Sequence, residues 1–451
     1  MKKKFLKVVA AAITALLALP SANAIAAKNA KVESLDTQAA LSDTTAGGKL
    51  NIYHWWTAGG EKEAIEAAIG GFLGMYPSVD PVSNAIPGGA GGAMVMKVKV
   101  LALSGKSPET FQAHPGMEIQ PYLESDILFD LSGLWEYAGL EDRMLEGVAE
   151  LCQVDGKYYI VPIGAHKTNT IFYNKRMFDE YGVTPPSDDV TWEQLWAVCD
   201  ELTAKLPDGK YPFDLGDRKG WPATQAFESI MMGVDPQIYE DFINGRATAA
   251  QVQSALDIFK KMMEYVAPDH TARLWYEAAG RVVAGDYAMM MMGTWMQPFM
   301  TNQGWVYGED YGVFSVPGTQ GYYGFCVDGF VVPNDSASVE NGLRWVYAIS
   351  DPETQTGFTR AKESVSPYKD TPDEVYSELA KAFKDELVNP DTVVYPSFTH
   401  GTALPWAAST DLHSRLSDFT TSADPDTARY AKMITEALNE AGVEGDWDIV
   451  K

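Results

Sequence analysis

The sequence predicts an α/β fold, because strand-like apolar runs alternate with amphipathic helical patterns along most of its 451 residues. Short loops rich in glycine and proline separate these segments, and no internal repeat is present. With 46% hydrophobic and 21% charged residues, the composition is that of a globular protein long enough for two or three domains. In such folds, ligands bind where the carboxyl ends of strands meet loops.

The elements that support this prediction follow in chain order. "KLNIYHW" predicts a strand, and "EKEAIEAAIGGF" predicts a helix with Ile65, Ile69 and Phe72 on one face. "ETFQAH" predicts another strand. In "TWEQLWAVCDEL", Thr191 and Gln194 form a capping box at the start of a helix. "LWYEAAGRVVAG" predicts a helix and "YAMMMMGTW" a buried strand, after which helices dominate toward "DTARYAKMITEAL".

The N-terminus has the features of a cleaved secretory signal peptide over residues 1–24. Lysines precede an apolar run from Val8 to Leu19, and small residues end at Ala24, although cleavage after Ala27 is equally compatible. The apolar run is shorter than the roughly 20 residues that a membrane span requires. The polar residues 25–47 predict a flexible leader, and the mature protein is expected in the periplasm.

The formal net charge of −26 excludes nucleic acid as a plausible partner, because an acidic protein repels phosphate backbones. The three cysteines, Cys152, Cys199 and Cys326, are too few for a disulfide framework in a chain of this length. Cys199 shares the apolar face of its predicted helix with Leu195 and Leu202, so we expect it to be buried.

Several kinds of chemistry have no motif in this sequence. It contains neither a His-Glu-x-x-His or close His/Cys group for zinc nor a Gly-x-Ser-x-Gly elbow for a hydrolytic serine. The segment "PGGAGGAM" lacks the Gly-Lys-Ser/Thr ending of a phosphate loop, and we interpret it as a loop that enters a helix. No metal or cofactor is therefore expected.

Two adjacent tryptophans, Trp55 and Trp56, end the first predicted strand just before a Gly-Gly loop. Strand alternation places Tyr53 and Trp55 on one face and His54 and Trp56 on the other. We therefore expect that the core does not bury both indoles.

Two later predicted strands also end in polar or aromatic residues, at Gln112 and His114 in "TFQAHPG" and at Trp295 in "MMMMGTW". An indole face suits the apolar patch of axial hydrogens on a pyranose, while carboxylate, amide, imidazole and ammonium groups pair with hydroxyls. This combination predicts a neutral, polyhydroxylated ligand such as a sugar.

From about Leu50 to Pro405, the chain resembles the extracellular sugar-binding proteins of ABC transporters (solute-binding protein family 1), and most closely their glucose-binding branch. The shared segments are "WWTAGGE", "GGAGGA", "TFQAHPGMEI", "DGKYYIVPIGAHKTNTIFYNKRMF", "TWEQL", "RVVAGDYAMMMMGTW", "SVPGTQG", "VDGFVVP" and "FTHGTALP". "TFQAHPG" together with "THG" indicates the glucose branch.

The resemblance implies a two-lobe periplasmic-binding-protein (Venus flytrap) fold with three inter-lobe crossings, which lie near residues 161–166, within 324–330 and near Lys362. The N-terminal lobe is expected to contain residues 48–164 and 328–361. The C-terminal lobe is expected to contain residues 165–327 and 362–451.

The resemblance also implies nine ligand-binding residues, carried over position by position: Trp55, Trp56, Glu61, Gln112, His114, Trp275, Asp328, Lys362 and His400. Trp55 and Trp56 are expected to line the cleft from one lobe, with Trp275 as the opposing stacking face. The polar members are expected to hydrogen-bond the sugar.

The implied function is that of the periplasmic substrate-binding component of an ABC sugar importer. It is expected to bind a monosaccharide, glucose or a close relative, and to deliver it to a membrane permease as a monomer without a cofactor. Two alternatives stay open: a secreted glycosidase that uses Glu61 and Asp328, and the same receptor class with a disaccharide or another small polar solute.

Overall fold

The computed structural model describes residues 35–87 and 92–443. The strands are β1 (Gly48–His54), β2 (Val79–Ala85), β3 (Thr110–Ala113), β4 (Gln153–Val154), β5 (Lys157–Tyr158), β6 (Ile160–Lys167), β7 (Thr170–Asn174), β8 (Tyr211–Asp214), β9 (Tyr287–Met291), β10 (Tyr311–Ser315), β11 (Tyr322–Val331) and β12 (Val393–Pro396). The helices are α1 (Thr37–Ser42), α2 (Gly60–Met75), α3 (Gly92–Leu103), α4 (Gln120–Glu124), α5 (Ser132–Ala138), α6 (Leu140–Arg143), α7 (Val148–Leu151), α8 (Lys175–Tyr181), α9 (Trp192–Lys205), α10 (Trp221–Val234), α11 (Pro236–Ile243), α12 (Ala249–Met263), α13 (Trp275–Val283), α14 (Met296–Asn302), α15 (Val339–Ile349), α16 (Pro352–Lys362), α17 (Glu378–Leu387), α18 (Trp406–Thr421) and α19 (Thr427–Glu440). The predicted alternation of strands and helices is present.

The first sheet has the strand order β12-β11-β3-β1-β2, and β6 also pairs with β11. β1 runs parallel to both β2 and β3, whereas β11 is antiparallel to β3 and β6. Because β1 and β3 are parallel, their carboxyl ends meet at one edge of the sheet. The segments that follow them, which carry Trp55, Trp56 and His114, therefore lie near one another.

The second sheet has the order β10-β7-β9-β8. Its β9 contains most of the methionine run, and Met289 to Met292 are fully buried, as the sequence predicts for an interior strand. Helix α13 precedes β9 and packs against it. This arrangement places Trp275, the first residue of α13, beside the edge where Trp295 follows the strand.

The chain connects the two sheets through long strands of the first sheet. β6 pairs with β11 from Ile160 to Lys167 and then continues through Thr168 and Asn169 into β7 of the second sheet. β6 contains the first predicted crossing, and β11 contains the second. The three-crossing connectivity as a whole stays a prediction.

The sequence located several helix ends correctly. Thr191 and Gln194 form the expected capping box at the start of α9, in which each side chain bonds the other residue's backbone amide. Helix α2 begins at Gly60, as the pattern after the tryptophan pair predicts.

The flexible leader predicted for residues 25–47 requires a correction, because residues 37–42 form helix α1. Asp36 caps this helix by accepting a hydrogen bond from the Ala39 amide. Leu41 is buried, and its carbonyl accepts a 2.8 Å hydrogen bond from the Tyr76 hydroxyl. Packing against α15 and α5, together with this hydrogen bond, therefore orders a stretch whose composition alone indicated a leader. The predicted signal peptide, residues 1–24, and Gly88 to Gly91 of the glycine-rich loop lie outside the described residues.

Within the described chain, Cys152, Cys199 and Cys326 are buried and unpaired. No helix among the described residues combines the length and the apolar character that crossing a bilayer requires.

Candidate functional site

A small cavity of about 30 Å³ lies between the carboxyl edge of β1 and β3 and the segments that surround β9. It is lined by Trp55, Trp56, Glu61, His114, Trp221, Trp275, Trp295, Cys326, Asp328, Lys362 and His400. Eight of the nine residues expected from the resemblance are in this set. They come from segments far apart in sequence, so tertiary folding has brought them together.

Both tryptophans of the opening pair are buried, with Trp55 7% and Trp56 1% exposed. The expectation that the core does not bury both is therefore wrong. Trp56 packs edge-on against Phe330, at 5.9 Å between ring centroids, and also against Phe358. Trp55 and Trp56 lie on opposite faces of the strand end, and both can be buried because the opposite wall of the cavity covers this end of the strand. Both indoles are thus packed into the fold and lie beside the cavity.

Asp328, on β11, is the polar centre of the site. Its Oδ1 accepts a 2.8 Å hydrogen bond from Gln112 Nε2, and His114 Nε2 and His166 Nε2 lie 3.6 and 3.5 Å from its two carboxylate oxygens. Burial alone would raise the pKa of Asp328, but the neighbouring His166 imidazole and the positive charges of His114 and Lys362 lower it to about 2. The carboxylate is therefore ionised and accepts hydrogen bonds only.

His114 follows β3 and carries a positive charge in the site. Its Nδ1 lies 2.6 Å from Glu118 Oε2, and its ring lies against Trp55 at 4.9 Å between centroids. Burial acts to lower the pKa of His114, but the negative charge of Glu118 outweighs this effect and raises the pKa well above its ordinary value. His114 is consequently an imidazolium held between two carboxylates.

Glu61 and Lys362 form a second ion pair in the cavity wall, with 3.4 Å between Lys362 Nζ and Glu61 Oε1. Glu61 Oε2 also accepts from the Thr57 amide, which ties the carboxylate to the loop before α2. Lys362 Nζ lies 5.2 Å from the ring centroid of Trp56, within range of a cation–π interaction. The charges that line the cavity are thus paired.

Gln112 is the one expected contact residue that does not line the cavity. It is fully buried, and its Oε1 accepts a 3.1 Å hydrogen bond from the Trp55 amide while its Nε2 donates to Asp328. The reason is geometric: Gln112 is in the interior of β3, one strand position before the edge. Its two hydrogen bonds orient Trp55 and Asp328 from the side that faces away from the cavity.

The opposite wall consists of Trp221, Trp275, Trp295 and His400. The His400 ring is edge-on to Trp295, at 5.1 Å between centroids, and lies 5.9 Å from Trp221. The sequence placed Trp295 at the end of a predicted strand without including it among the ligand-binding residues, and it gave no indication of Trp221. The position of Cys326 in the cavity wall could have been predicted from the sequence, because Cys326 lies two residues before Asp328 on the same strand and therefore on the same face.

Buried neutral histidines predict that acid destabilises the fold. Burial lowers the pKa of five histidines: His54, His166, His270, His400 and His413. For His54 and His413 the pKa falls to about 4. In the unfolded chain these histidines take up a proton near pH 6.5, whereas in the folded chain they do so only at lower pH. The free energy of unfolding therefore declines as the pH falls from about 6.5 toward 4.

The melting temperature between pH 7.5 and 4 measures this effect. His114 acts in the opposite direction, because its raised pKa contributes stability below pH 6.5 that is lost as pH rises through its folded pKa. His54→Gln, which keeps a neutral partner for Ser83, is expected to reduce the loss of melting temperature as the pH falls. A melting temperature that stays constant down to pH 4.5 contradicts the prediction.

Comparisons with known proteins agree with this architecture. Residues 83–385 match the family model described as bacterial extracellular solute-binding protein. The chain is 37% identical over 396 residues to an uncharacterized ABC transporter extracellular-binding protein of Pyrococcus horikoshii, with 87% of each chain covered. It is 28% identical over 365 residues to a xylose/arabinose-binding protein of Haloferax volcanii, which covers 79% of this chain and 77% of that relative.

A solved structure of a chitin oligosaccharide binding protein superposes with a TM-score of 0.74 at 18% identity, over 87% of this chain and 98% of that chain. This similarity confirms the predicted two-lobe α/β fold. The family model spans more than half of the sequence, and the archaeal relative is similar along most of its length. The chain belongs to the family of bacterial extracellular solute-binding proteins.

Proposed function

We propose that this protein is the sugar receptor of an ABC importer and that it binds one monosaccharide, glucose or a close relative, in the cavity between its lobes. The observation that carries the proposal is the convergence of five indoles with Asp328, Glu61, Lys362 and His400 around one cavity. Indoles offer apolar faces, and the polar groups offer both donors and acceptors to hydroxyls. Because the charges are paired, the site suits an uncharged ligand.

The proposed size of the ligand rests on a named relative. The named relative of Haloferax volcanii binds xylose or arabinose. Xylose is the analogue of glucose without its hydroxymethyl group, so a site for either sugar uses the same ring contacts. We therefore favour a monosaccharide over the disaccharide alternative.

Binding requires the lobes to move apart. The cavity of about 30 Å³ has room for about two water molecules, far less than a pyranose. The proposed mechanism is a hinge in which the sugar enters an open form and contacts with both lobes favour closure. In this proposal the lobes comprise residues 48–164 with 328–361 and residues 165–327 with 362–451. In this proposal the receptor works in the periplasm, where a membrane permease recognises the closed form.

A glycosidase is not favoured. The named relatives are binding proteins, which agrees with the expected absence of catalysis. Steady release of nitrophenol from chromogenic glycosides by the pure protein contradicts this assignment.

Tryptophan fluorescence titrated with glucose, xylose, arabinose, galactose, mannose and maltose tests the proposed function. Five cavity indoles are expected to report saturable binding of one monosaccharide, and a sugar at ~100 times its dissociation constant adds roughly 2.7 kcal/mol to the free energy of unfolding. Saturable binding of maltose without binding of any monosaccharide supports the disaccharide alternative instead.

Trp275→Ala is expected to weaken binding of the best monosaccharide at least tenfold, because it removes the apolar face opposite Trp55 and Trp56. The indole also packs edge-on against Phe299 at 6.0 Å between centroids, so we expect a lower melting temperature with cooperative unfolding retained. Calorimetric titration of the folded variant measures the affinity. Trp192→Ala, at a tryptophan stacked on Trp196 away from the cavity, is the matched control and should bind normally. Unchanged affinity in Trp275→Ala contradicts its assigned role.

A further inference from the structure

A buried carboxylate behind the cavity is not explained by the contacts described so far. Glu228, on α10, is fully buried. Its Oε2 accepts hydrogen bonds from the Ser397 hydroxyl at 2.9 Å and from the Thr399 amide at 2.8 Å, and its Oε1 accepts from the Thr168 hydroxyl at 3.2 Å. Burial raises the pKa of Glu228, and these three hydrogen bonds act against that rise.

Ser397 links this carboxylate to the cavity. Its Oγ lies 2.8 Å from His400 Nδ1 and also accepts from the His400 amide at 3.3 Å. A serine hydroxyl has one hydrogen to donate. Three donors converge on Glu228, so its carboxylate acts as the acceptor and the Ser397 hydrogen is directed to Oε2. The serine oxygen then presents a lone pair to His400, and Nδ1 must supply the hydrogen of the bond between them.

His400 is neutral, because burial and the neighbouring His114 cation hold its pKa well below the ordinary value. A neutral imidazole carries one ring hydrogen, so a hydrogen on Nδ1 leaves a bare lone pair on Nε2. Nδ1 is directed at Ser397, and the ring lies among Trp221, Trp295 and His114 of the cavity wall. Nε2 is therefore the ring nitrogen available to a ligand.

We propose that Glu228 is a positioning residue that acts through Ser397 to fix His400 as the Nδ1–H tautomer, so that Nε2 accepts a hydrogen bond from a sugar hydroxyl. The contribution to recognition rests on the proposed function, whereas the tautomer itself does not. The arrangement selects a ligand group that donates a hydrogen bond to Nε2. A hydroxyl satisfies it, and a fluorine or a methoxy group at the same carbon leaves Nε2 without a partner.

The tautomer is measured directly by long-range ¹H–¹⁵N correlation spectra of the sugar-free protein with ¹⁵N-labelled histidines. The His400 signals are identified by their loss in His400→Asn. We expect the Nδ1–H form in the wild-type protein. Ser397→Ala and Glu228→Met, which remove the acceptor chain, are expected to give the Nε2–H form or a mixture and to weaken D-glucose or D-xylose binding at least tenfold.

Two further variants separate a specific role from a packing defect. Glu228→Gln keeps an acceptor oxygen for Ser397, so it should retain the Nδ1–H tautomer and lose less affinity than Glu228→Met. Thr168→Val removes the hydrogen bond to the other carboxylate oxygen and should leave the tautomer unchanged. If Glu228→Met does not fold, Ser397→Ala decides the question.

An Nε2–H tautomer in the wild-type protein, or an unchanged Nδ1–H tautomer in Ser397→Ala, overturns the inference even if sugars bind. Conversely, absence of sugar binding by the wild-type protein refutes the proposed function and leaves the tautomer result to be judged separately.

Discussion

Asp328→Asn is expected to abolish measurable binding of glucose and xylose, a loss of at least 100-fold in affinity. In the wild-type protein this carboxylate accepts from Gln112 and compensates the charges of His114 and Lys362. The asparagine side chain has no charge, and its amide group brings a donor into a position surrounded by donors. Loss of one member of a buried charge cluster typically costs about 3–5 kcal/mol, so the free energy of unfolding should fall as well.

Calorimetry measures the affinity of Asp328→Asn, and circular dichroism measures its melting temperature. Asp370→Asn is the matched control, because Asp370 pairs with Arg143 at 2.7 Å at the protein surface, where such a pair contributes only about 0–1 kcal/mol. The control should bind sugar normally and melt within a few degrees of the wild-type protein. Affinity within threefold of wild type in Asp328→Asn removes this carboxylate from the site.

Gly60→Ala is expected to hold the lobes apart and to weaken sugar binding at least tenfold. Gly60 begins α2 in the first-sheet lobe, and a Cβ there would overlap with Pro298 Cβ of α14 and lie 3.1 Å from the Ala361 carbonyl oxygen. Alanine is well tolerated at a helix start, and the Ala361 carbonyl of the same lobe has to shift by only a few tenths of an ångström, so the lobe itself should fold. In the proposed division of the chain, Pro298 belongs to the opposite lobe, so the overlap would arise only in the closed form and the variant tests closure.

Gly70→Ala, in the same helix, is the matched control. Apart from its chain neighbours and the backbone of its own helix, no heavy atom of the described residues lies within 4 Å of a Cβ placed there. This change should leave affinity unchanged and add about 0.5–1 kcal/mol to stability, since glycine is a poor helix residue. Small-angle scattering should show that sugar reduces the radius of gyration of the wild-type protein and of Gly70→Ala more than that of Gly60→Ala. Equal affinity and equal compaction in Gly60→Ala contradict the hinge proposal.

The nine candidate residues came from motif resemblance, and eight of them line the cavity. Gln112 shows why such a transfer is incomplete. Its residue type suits a sugar contact, but its position inside β3 directs its amide to Trp55 and Asp328. Trp221 and Trp295 line the cavity but were not among the nine candidates. Only the strand-end position of Trp295 gave a local signal, and nothing in the sequence around Trp221 distinguishes a cavity indole from a core indole.

By itself, the sequence determined the features that depend on near neighbours along the chain. The alternation of strands and helices, the capping box at Thr191 and the buried methionine strand follow from periodicities and hydrogen bonds that span a few residues. The tertiary structure alone decided that both indoles of the opening pair are buried, that α1 is ordered, and that Asp328 and His114 are charged. These properties depend on burial and on electrostatic partners from distant segments, and neither is encoded in any local pattern.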